Sequence, residues 1–280
     1  MDHPLSLPQL DIPGLLRQHG LRPDKSLGQN FLVDEAALQQ VIESAQITPD
    51  DRVLEIGAGL GNLTRYLARA ARAVTAVELD HRLLPVLRQV LGEFTHVQIV
   101  QGDILALNPI QLVPEGGYLV VANIPYYITS ALIRHLLESK HTPRRLVLTV
   151  QKEVAQRICA QPGDLSLLAL SVQVYGQPHI TAHIPAEAFY PPPRVDSAVL
   201  RVDLYPTPAI PPPLLKAFFH LSKAGFSQKR KTLRNALSGG LGWSTAKAGE
   251  LLQTAGIDPF RRAESLSLDE WHTLTQAYTA

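Results

Sequence analysis

Residues 53–61 read VLEIGAGLG. Val53, Leu54 and Ile56 make a short apolar run, too brief for a helix, and it stops at Gly57, Gly59 and Gly61. Glycine adopts backbone conformations closed to other residues, so the chain can turn tightly there and lie close to whatever it faces. Residues 63–69 then resume with helical spacing. The stretch is a strand, a glycine loop and a helix, the opening unit of an α/β fold. Its spacing is G-x-G-x-G rather than the G-x-G-x-x-G of dinucleotide sites. Taken alone, the same loop also suits a purely structural turn.

The alternation repeats outward from that stretch. Residues 73–77 read as a strand closed by Glu78-Leu79-Asp80, and residues 83–91 as a helix. Residues 96–100 make a third strand, followed by Gly102-Asp103. Residues 118–122 make a fourth, followed by Asn123-Ile124-Pro125-Tyr126. A helix at 130–138 and a strand at 145–149 complete the series. Upstream, Asp34 is placed to N-cap a helix running to about residue 44. Apolar strands separated by helices predict a parallel sheet covered on both faces. The polar groups all follow the carboxyl ends of strands, the edge where open α/β sheets bind ligands. Residues 167–175 and 197–204 read as two further strands, joined by a proline-heavy connector at 183–194. Residues 206–213 read as a linker to a small helical domain, with helices at 214–221, 228–237, 245–255 and 268–275. The expected organisation is an N-terminal arm at 1–28 with one short helix near 12–19, a catalytic domain at 29–205 and a helical domain at 206–280.

The 280 residues are 45% hydrophobic and only 18% charged, which suits one large domain or two unequal ones and excludes global disorder. The single cysteine, Cys159, excludes an intrachain disulfide framework and a multi-cysteine metal site. No metal is expected, and a reducing, cytoplasmic setting fits. Residues 1–20 lack a basic start followed by an apolar core, so no secretory signal is read. No run approaches the ~18 apolar residues of a membrane span. The net charge of +1 is uneven: residues 205–280 hold 9 Lys+Arg against 5 Asp+Glu, a balance of +4, and residues 1–204 hold 17 against 20, a balance of −3. A basic end on a mildly acidic body points to a polyanionic partner.

The strand ends suggest a cofactor. Glu78 lies 21 residues after Gly57, where a carboxylate can accept hydrogen bonds from both ribose hydroxyls. Asp103 is placed to accept from the exocyclic amine of an adenine ring. Glu55 has no basic neighbour and suits either a cationic amino-acid end or an ordering role in the loop. Three carboxylates repel phosphates, so they favour S-adenosylmethionine, whose sulfonium is positive and whose adenosine bears no phosphate, over a nicotinamide cofactor. Each carboxylate alone also fits a solvated strand end or a turn.

Asn123-Ile124-Pro125-Tyr126 suggests the chemistry. Asn123 offers a side-chain carbonyl. Pro125 has no amide hydrogen, stiffens the chain and pushes Ile124 toward an extended conformation, which fixes nearby carbonyls. Tyr126 offers a flat face. Two carbonyl acceptors and an aromatic wall suit an exocyclic amine of a stacked base, held for attack on a methyl donor. A proline-stiffened loop with Tyr126 in the core is the bland alternative.

Asn123-Ile-Pro-Tyr126 resembles the Asn-(Leu/Ile)-Pro-Tyr motif of the ribosomal RNA adenine N6-dimethyltransferases. Three further stretches are similar to signatures of that family: GQNFL at 28–32, FYPPPRVDSA at 189–198 and FSQKRKTLRNAL at 226–237. The likeness spans about residues 24–275. It implies a Rossmann-like S-adenosylmethionine-dependent methyltransferase sheet with a small C-terminal helical domain. It also implies contacts to the methyl donor from Asn30, Leu32, Gly57, Glu78, Asp103 and Asn123, and positioning of the target amine by Asn123 and the Pro125 carbonyl while Tyr126 stacks on the base. The implied substrate is 16S RNA in the small ribosomal subunit or its precursor, dimethylated on two adjacent adenosines of the 3′-terminal hairpin loop, with a role in ribosome maturation. The chain departs from the family's usual pattern at Ala58, at Tyr127, at residues 164–169 and at Ala263.

Lys223, Lys229, Arg230, Lys231 and Arg234 form the densest basic group. On a helix, Arg230 and Arg234 would stand four residues apart on one face, suited to phosphates, which supply affinity more than sequence choice. Arg261 and Arg262 are candidate extensions of the patch, and Arg157 is a candidate to line the RNA side of the catalytic domain. A solvated helix surface is the alternative. A monomer is expected, because reaching an RNA hairpin needs no partner subunit. Competing functions are a large-subunit RNA methyltransferase of the macrolide-resistance type, a non-catalytic RNA-binding assembly factor and a nicotinamide oxidoreductase.

Overall fold

In the computed structural model, which describes residues 7–280, the strand opening VLEIGAGLG is Arg52–Ile56. The first six residues of the expected arm lie outside the described residues. In chain order the strands are β1 (Phe31–Leu32), β2 (Arg52–Ile56), β3 (Ala73–Glu78), β4 (Val97–Gln101), β5 (Leu119–Asn123), β6 (Arg145–Gln151), β7 (Gly176–Ile184), β8 (Phe189–Tyr190) and β9 (Ser197–Leu204). The helices are α1 (Ile12–Gln18), α2 (Glu35–Ala45), α3 (Asn62–Ala70), α4 (Leu84–Val90), α5 (Pro109–Leu112), α6 (Thr129–Leu137), α7 (Lys152–Ile158), α8 (Leu167–Gln173), α9 (Leu215–Phe226), α10 (Leu233–Leu241), α11 (Thr245–Thr254) and α12 (Leu268–Thr279).

Seven strands form one sheet in the order β4-β3-β2-β5-β6-β9-β7. Strands β4, β3, β2, β5 and β6 run parallel, and β9 is antiparallel to β6. Val53 pairs with Val74 and Leu119, and this row packs under α2 and α3. Ala76, on the same face of β3 as Val74, packs under Leu84 and Leu87 of α4. On the opposite face the row Leu54, Val120 and Leu146 is fully buried. Burial on both faces is why these strands read as unbroken apolar runs. Asp34 caps α2 by accepting from the Ala37 N–H at 2.8 Å, as its position predicted.

The strand order places β2, the first strand of this sheet in the chain, between β3 and β5. The chain leaves β2 toward β3 and β4 on one side and returns to β5 on the other. The loops after β2 and β5 therefore diverge at the carboxyl edge, and such a reversal leaves a crevice for a ligand.

The chain divides in space into two compact units. One holds the residues up to Ala155 together with His179–Leu204; the other holds Gln156–Pro178 and Tyr205–Ala280. The residues expected as a strand at 167–175 are a helix, α8, which belongs to the second unit. Ser166 caps it by accepting from the Ala169 N–H, and Ala169 and Leu170 join a core with Phe218, Leu221 and Trp271. The apolar residues at 167–170 have no period to separate a helix from a strand, and the alternation from Leu170 to Val174 has the period of a strand. The helix expected at 228–237 starts later, at Leu233. The Leu233 N–H donates to Arg261 O at 2.7 Å and the Arg234 N–H to Pro259 O at 3.3 Å, so the amides that would extend the helix backward are taken by a distant loop. Lys229, Arg230 and Lys231 lie in the turn before α10, and Arg230 and Arg234 do not share a helix face.

Candidate functional site

The glycine loop folds back over the end of β3: the Gly57 and Ala58 N–H groups both donate to Val77 O, at 2.9 and 3.1 Å. Gly57 and Gly59 have φ of +77° and +60°. A Cβ on Gly59 would stand 3.0 Å from the Phe31 ring, and one on Gly57 would stand 3.4 Å from Asn123 O. Glycine is required at both positions by conformation, and at Gly59 by space as well.

Glu78 ends β3 and is 6% exposed. Its Oε2 accepts from the Gly59 N–H and its Oε1 from the Asp80 N–H, each at 2.7 Å. Burial raises its pKa, against the pull of these two N–H groups. Two residues on, Asp80 is held down at about 2, chiefly by the Arg82 guanidinium. Asp103 follows β4 and accepts from the Leu105 N–H at 2.9 Å.

GQNFL, at 28–32, is fastened to these strand ends. Gln29 Nε2 donates to Asp80 Oδ2 at 2.9 Å, and Arg82 bridges Asp80 and Asp24. Phe31 and Leu32 pair antiparallel with Tyr190 and Phe189. Two of the stretches singled out in the sequence are thus the two strands of one small sheet.

Asn123, the last residue of β5, donates from Nδ2 to Asn30 O at 2.9 Å. That bond fixes the amide and leaves Oδ1 as its open acceptor. Pro125 O accepts from the Ile128 N–H at 3.2 Å, closing a short 3₁₀ turn at Tyr126–Ile128. A carbonyl oxygen has two lone pairs, so Pro125 O keeps capacity for one further donor beside this bond. The Tyr126 hydroxyl bonds Ser197 Oγ at 2.7 Å, which fixes the plane of its ring. Tyr127 is 62% exposed and stands against Gly28 at the rim, not in the core.

One cavity takes in Asn30, Gly57, Glu78, Asp103, Asn123 and Tyr126, and also Pro125. Among the described residues, none lining it is Lys or Arg. Leu32 does not line it. Its side chain is buried in the core, and its carbonyl accepts from Asn62 Nδ2. Sequence reasoning did not assign Ile124 or Phe189 to the site, and both line the cavity. Phe189 carries no polar group, and an apolar residue in an apolar stretch reads as core.

Glu55 does not line the cavity. It is 1% exposed, and its Oε2 has no hydrogen-bond partner. Burial, with the Glu78 charge adding to it, lifts its pKa to about 8 from 4.5. The folded chain therefore keeps a proton that the unfolded chain releases, and stability falls as pH rises between those two values, by at most about 1.4 kcal/mol per pH unit. Glu55→Gln is expected to flatten that part of the slope in thermal unfolding followed from about pH 5 to about pH 8. A slope equal to the parent's would show that Glu55 is ionised throughout.

On the second unit, Lys223, Lys229, Arg230 and Lys231 are exposed. Arg234 is half-buried, with its guanidinium 5.3 Å from the Phe260 ring centre. Arg261 and Arg262 do not extend the patch as free charges: Arg261 is paired with Glu270, and Arg262 with Glu264 at 3.7 Å. Among the described residues, no three His, Cys, Asp or Glu side chains are grouped to hold a metal, and no helix is long and apolar enough to cross a membrane.

The family model for ribosomal RNA adenine dimethylase matches residues 20–280. A ribosomal RNA small subunit methyltransferase A from Dehalococcoides mccartyi is 45% identical over 267 residues, covering 95% of this chain and 91% of that protein. One from Moorella thermoacetica is 42% identical over 273 residues, covering 94% of each. Among solved structures, the 23S rRNA methyltransferase ErmE is 27% identical with a TM-score of 0.72, over 90% of this chain and 100% of that one. A dimethyladenosine transferase from Plasmodium falciparum shares the fold, with a TM-score of 0.76 at 24% identity over 89% of this chain and 97% of that one.

Proposed function

The chain belongs to the ribosomal RNA adenine dimethylase family, and from that premise we propose that it transfers methyl groups from S-adenosylmethionine to N6 of two adjacent adenosines. We place those adenosines in the 3′-terminal hairpin loop of small-subunit RNA, in a step of ribosome maturation. One observation carries the reading: two carboxylates, an oriented amide and an aromatic wall meet in one cavity that no cation lines. A phosphate-bearing cofactor would find no counter-charge there, whereas a positively charged nucleoside would.

S-adenosylmethionine, when bound, supplies a methyl group carried on a positively charged sulfur. The chain's own groups hold the rest. Each Glu78 oxygen takes one backbone N–H and keeps capacity for a ribose hydroxyl. Asp103 uses one oxygen on Leu105 and has the other for the amine of the donor's adenine. Gly57 brings backbone close to the amino-acid part, and Asn30 tightens the rim through its bond with Asn123.

At the reacting end, the two hydrogens of the target amine go to Asn123 Oδ1 and a carbonyl of the Ile124–Pro125 turn. Tyr126, held by Ser197, gives the base a fixed face. With donor bound, the neutral amine would attack the methyl carbon with its lone pair as the carbon–sulfur bond broke, the electron pair going to the sulfur that leaves uncharged; the cationic amine would then give a proton to water, so no side chain need act as a base beforehand. Positioning and desolvation then carry the rate. The target base must leave its stack to enter, and the exposed Lys223, Lys229, Arg230 and Lys231 suit the phosphates flanking an unpaired loop. Arg234, turned onto Phe260, is less available for them.

Incubation with unmodified small subunits and S-adenosylmethionine, followed by mass spectrometry of the 3′ hairpin, tests this. Two dimethylated adjacent adenosines are expected. Folded protein that binds donor and subunit but leaves every adenosine unmodified would overturn the reading. Modification of large-subunit RNA alone would select the macrolide-resistance alternative.

A further inference from the structure

Phe260 is the most exposed large apolar side chain among the described residues, at 67%. Its loop is firmly held. The Phe260 N–H donates to Asp258 Oδ1 at 2.9 Å, and the carbonyls on either side, of Pro259 and Arg261, accept from the first two amides of α10. The loop is thereby pinned to the start of that helix, into which the turn holding Lys229, Arg230 and Lys231 leads.

The Arg234 guanidinium lies over the ring, and its Nε is buried with no hydrogen-bond partner. It is thus stacked on an aromatic face rather than fully hydrogen-bonded. The two arginines that follow Phe260 in its loop are neutralised by Glu270 and Glu264. By contrast, Lys229, Arg230 and Lys231 have no acidic partner among the described residues. A held, exposed ring backed by a guanidinium, on a loop bonded to the helix that this basic turn leads into, is complementary to a nucleobase with its phosphates.

We propose that Phe260 is a stacking platform for an unpaired base of the small-subunit RNA, so that the C-terminal unit grips a base as well as phosphates. This rests on the proposed function for the choice of RNA. Base stacking on an aromatic side chain is sequence-tolerant, and its loss weakens binding roughly 5- to 150-fold. It releases no counterions, so the dependence of affinity on salt stays as it was, whereas removal of a phosphate-binding lysine lowers the salt slope by about one.

The test is equilibrium binding of the full-length chain to unmodified small subunits across a salt series, with Phe260→Ala, Phe260→Leu and Phe260→Trp. Alanine and leucine are expected to weaken binding within the range above, with the salt slope unchanged. Tryptophan is expected to keep parental affinity and to add a fluorescence signal, over the parent's own tryptophans, that is quenched on binding. Parental affinity in the alanine variant overturns the proposal, as does restoration by leucine, which would mean apolar contact without stacking. If the parent methylates small subunits and the alanine variant binds normally, the platform alone fails. If the parent binds no small subunit, the proposed function fails with it.

Discussion

Asn123→Ala is expected to lower the rate of methyl transfer by about 10²–10³-fold, the usual cost of removing one oriented polar group at a reacting centre. Affinity for the small subunit should stay within about twofold, because the phosphate contacts that dominate it lie elsewhere. The geometry makes the variant more informative than a simple deletion. Asn123 has two duties: Nδ2 holds the Asn30 carbonyl, and Oδ1 is the acceptor proposed for the amine. Alanine ends both. Asn123→Asp ends only the first, since a carboxylate still accepts but has no proton for Asn30. The aspartate variant is therefore expected to weaken donor binding, through a loosened rim, while keeping more turnover at saturating donor than alanine does. Single-turnover rates at saturating donor, measured beside donor and subunit affinities, separate the two effects. Equal losses in rate and in subunit affinity would mean that Asn123 shapes the fold and has no separate role at the amine.

What the sequence made legible, and what it did not, follows the range of the forces involved. The strand-loop-helix at VLEIGAGLG is a local pattern, and the structure has it within one or two residues. The Asp34 cap is equally local. The start of α10 is not, because its first amides are occupied by a loop more than twenty residues downstream. The α8 segment failed for another reason: Leu170, Val172 and Val174 alternate with Ser171 and Gln173 at the period of a strand, although Ser166 stood in the cap position and signalled a helix. In the site, polar residues at strand ends were recognisable because a charge there needs an explanation. Phe189 was not, because an apolar residue in an apolar stretch reads as core, although it pairs with Leu32 across the small sheet and lines the cavity. Tyr127, a departure from the family pattern, stands at the rim against Gly28 and not on the methyl-transfer side chains.

Glu78 carries the second large expected effect, which concerns donor affinity and stability together. In Glu78→Ala the Gly59 and Asp80 N–H groups lose their acceptors in a buried place, at about 1–3 kcal/mol for each unpaired group. Removing a carboxylate whose burial raises its pKa offsets part of this. A net loss of about 1–3 kcal/mol lowers Tm by roughly 2–12 °C for a unit of this size. Donor affinity should fall about 10- to 150-fold, as for a hydrogen bond to a charged group. Glu78→Gln is the sharper test. At an ordinary ribose contact the amide would be a mild change, because one oxygen still accepts. Here both oxygens accept from backbone N–H groups, so the amide must point its NH₂ at one of them. Glutamine is therefore expected to lose most of what alanine loses in both Tm and affinity. Protonation does the same thing reversibly: a neutral carboxyl turns one acceptor into a donor facing an N–H. With its folded pKa raised above 4.5, Glu78 should lose donor affinity as pH falls through that raised value, at a higher pH than an ordinary glutamate would. Isothermal titration across the acidic range reads this directly. A glutamine variant that binds the donor as the parent does would mean that the two backbone bonds are not what holds the carboxylate in place.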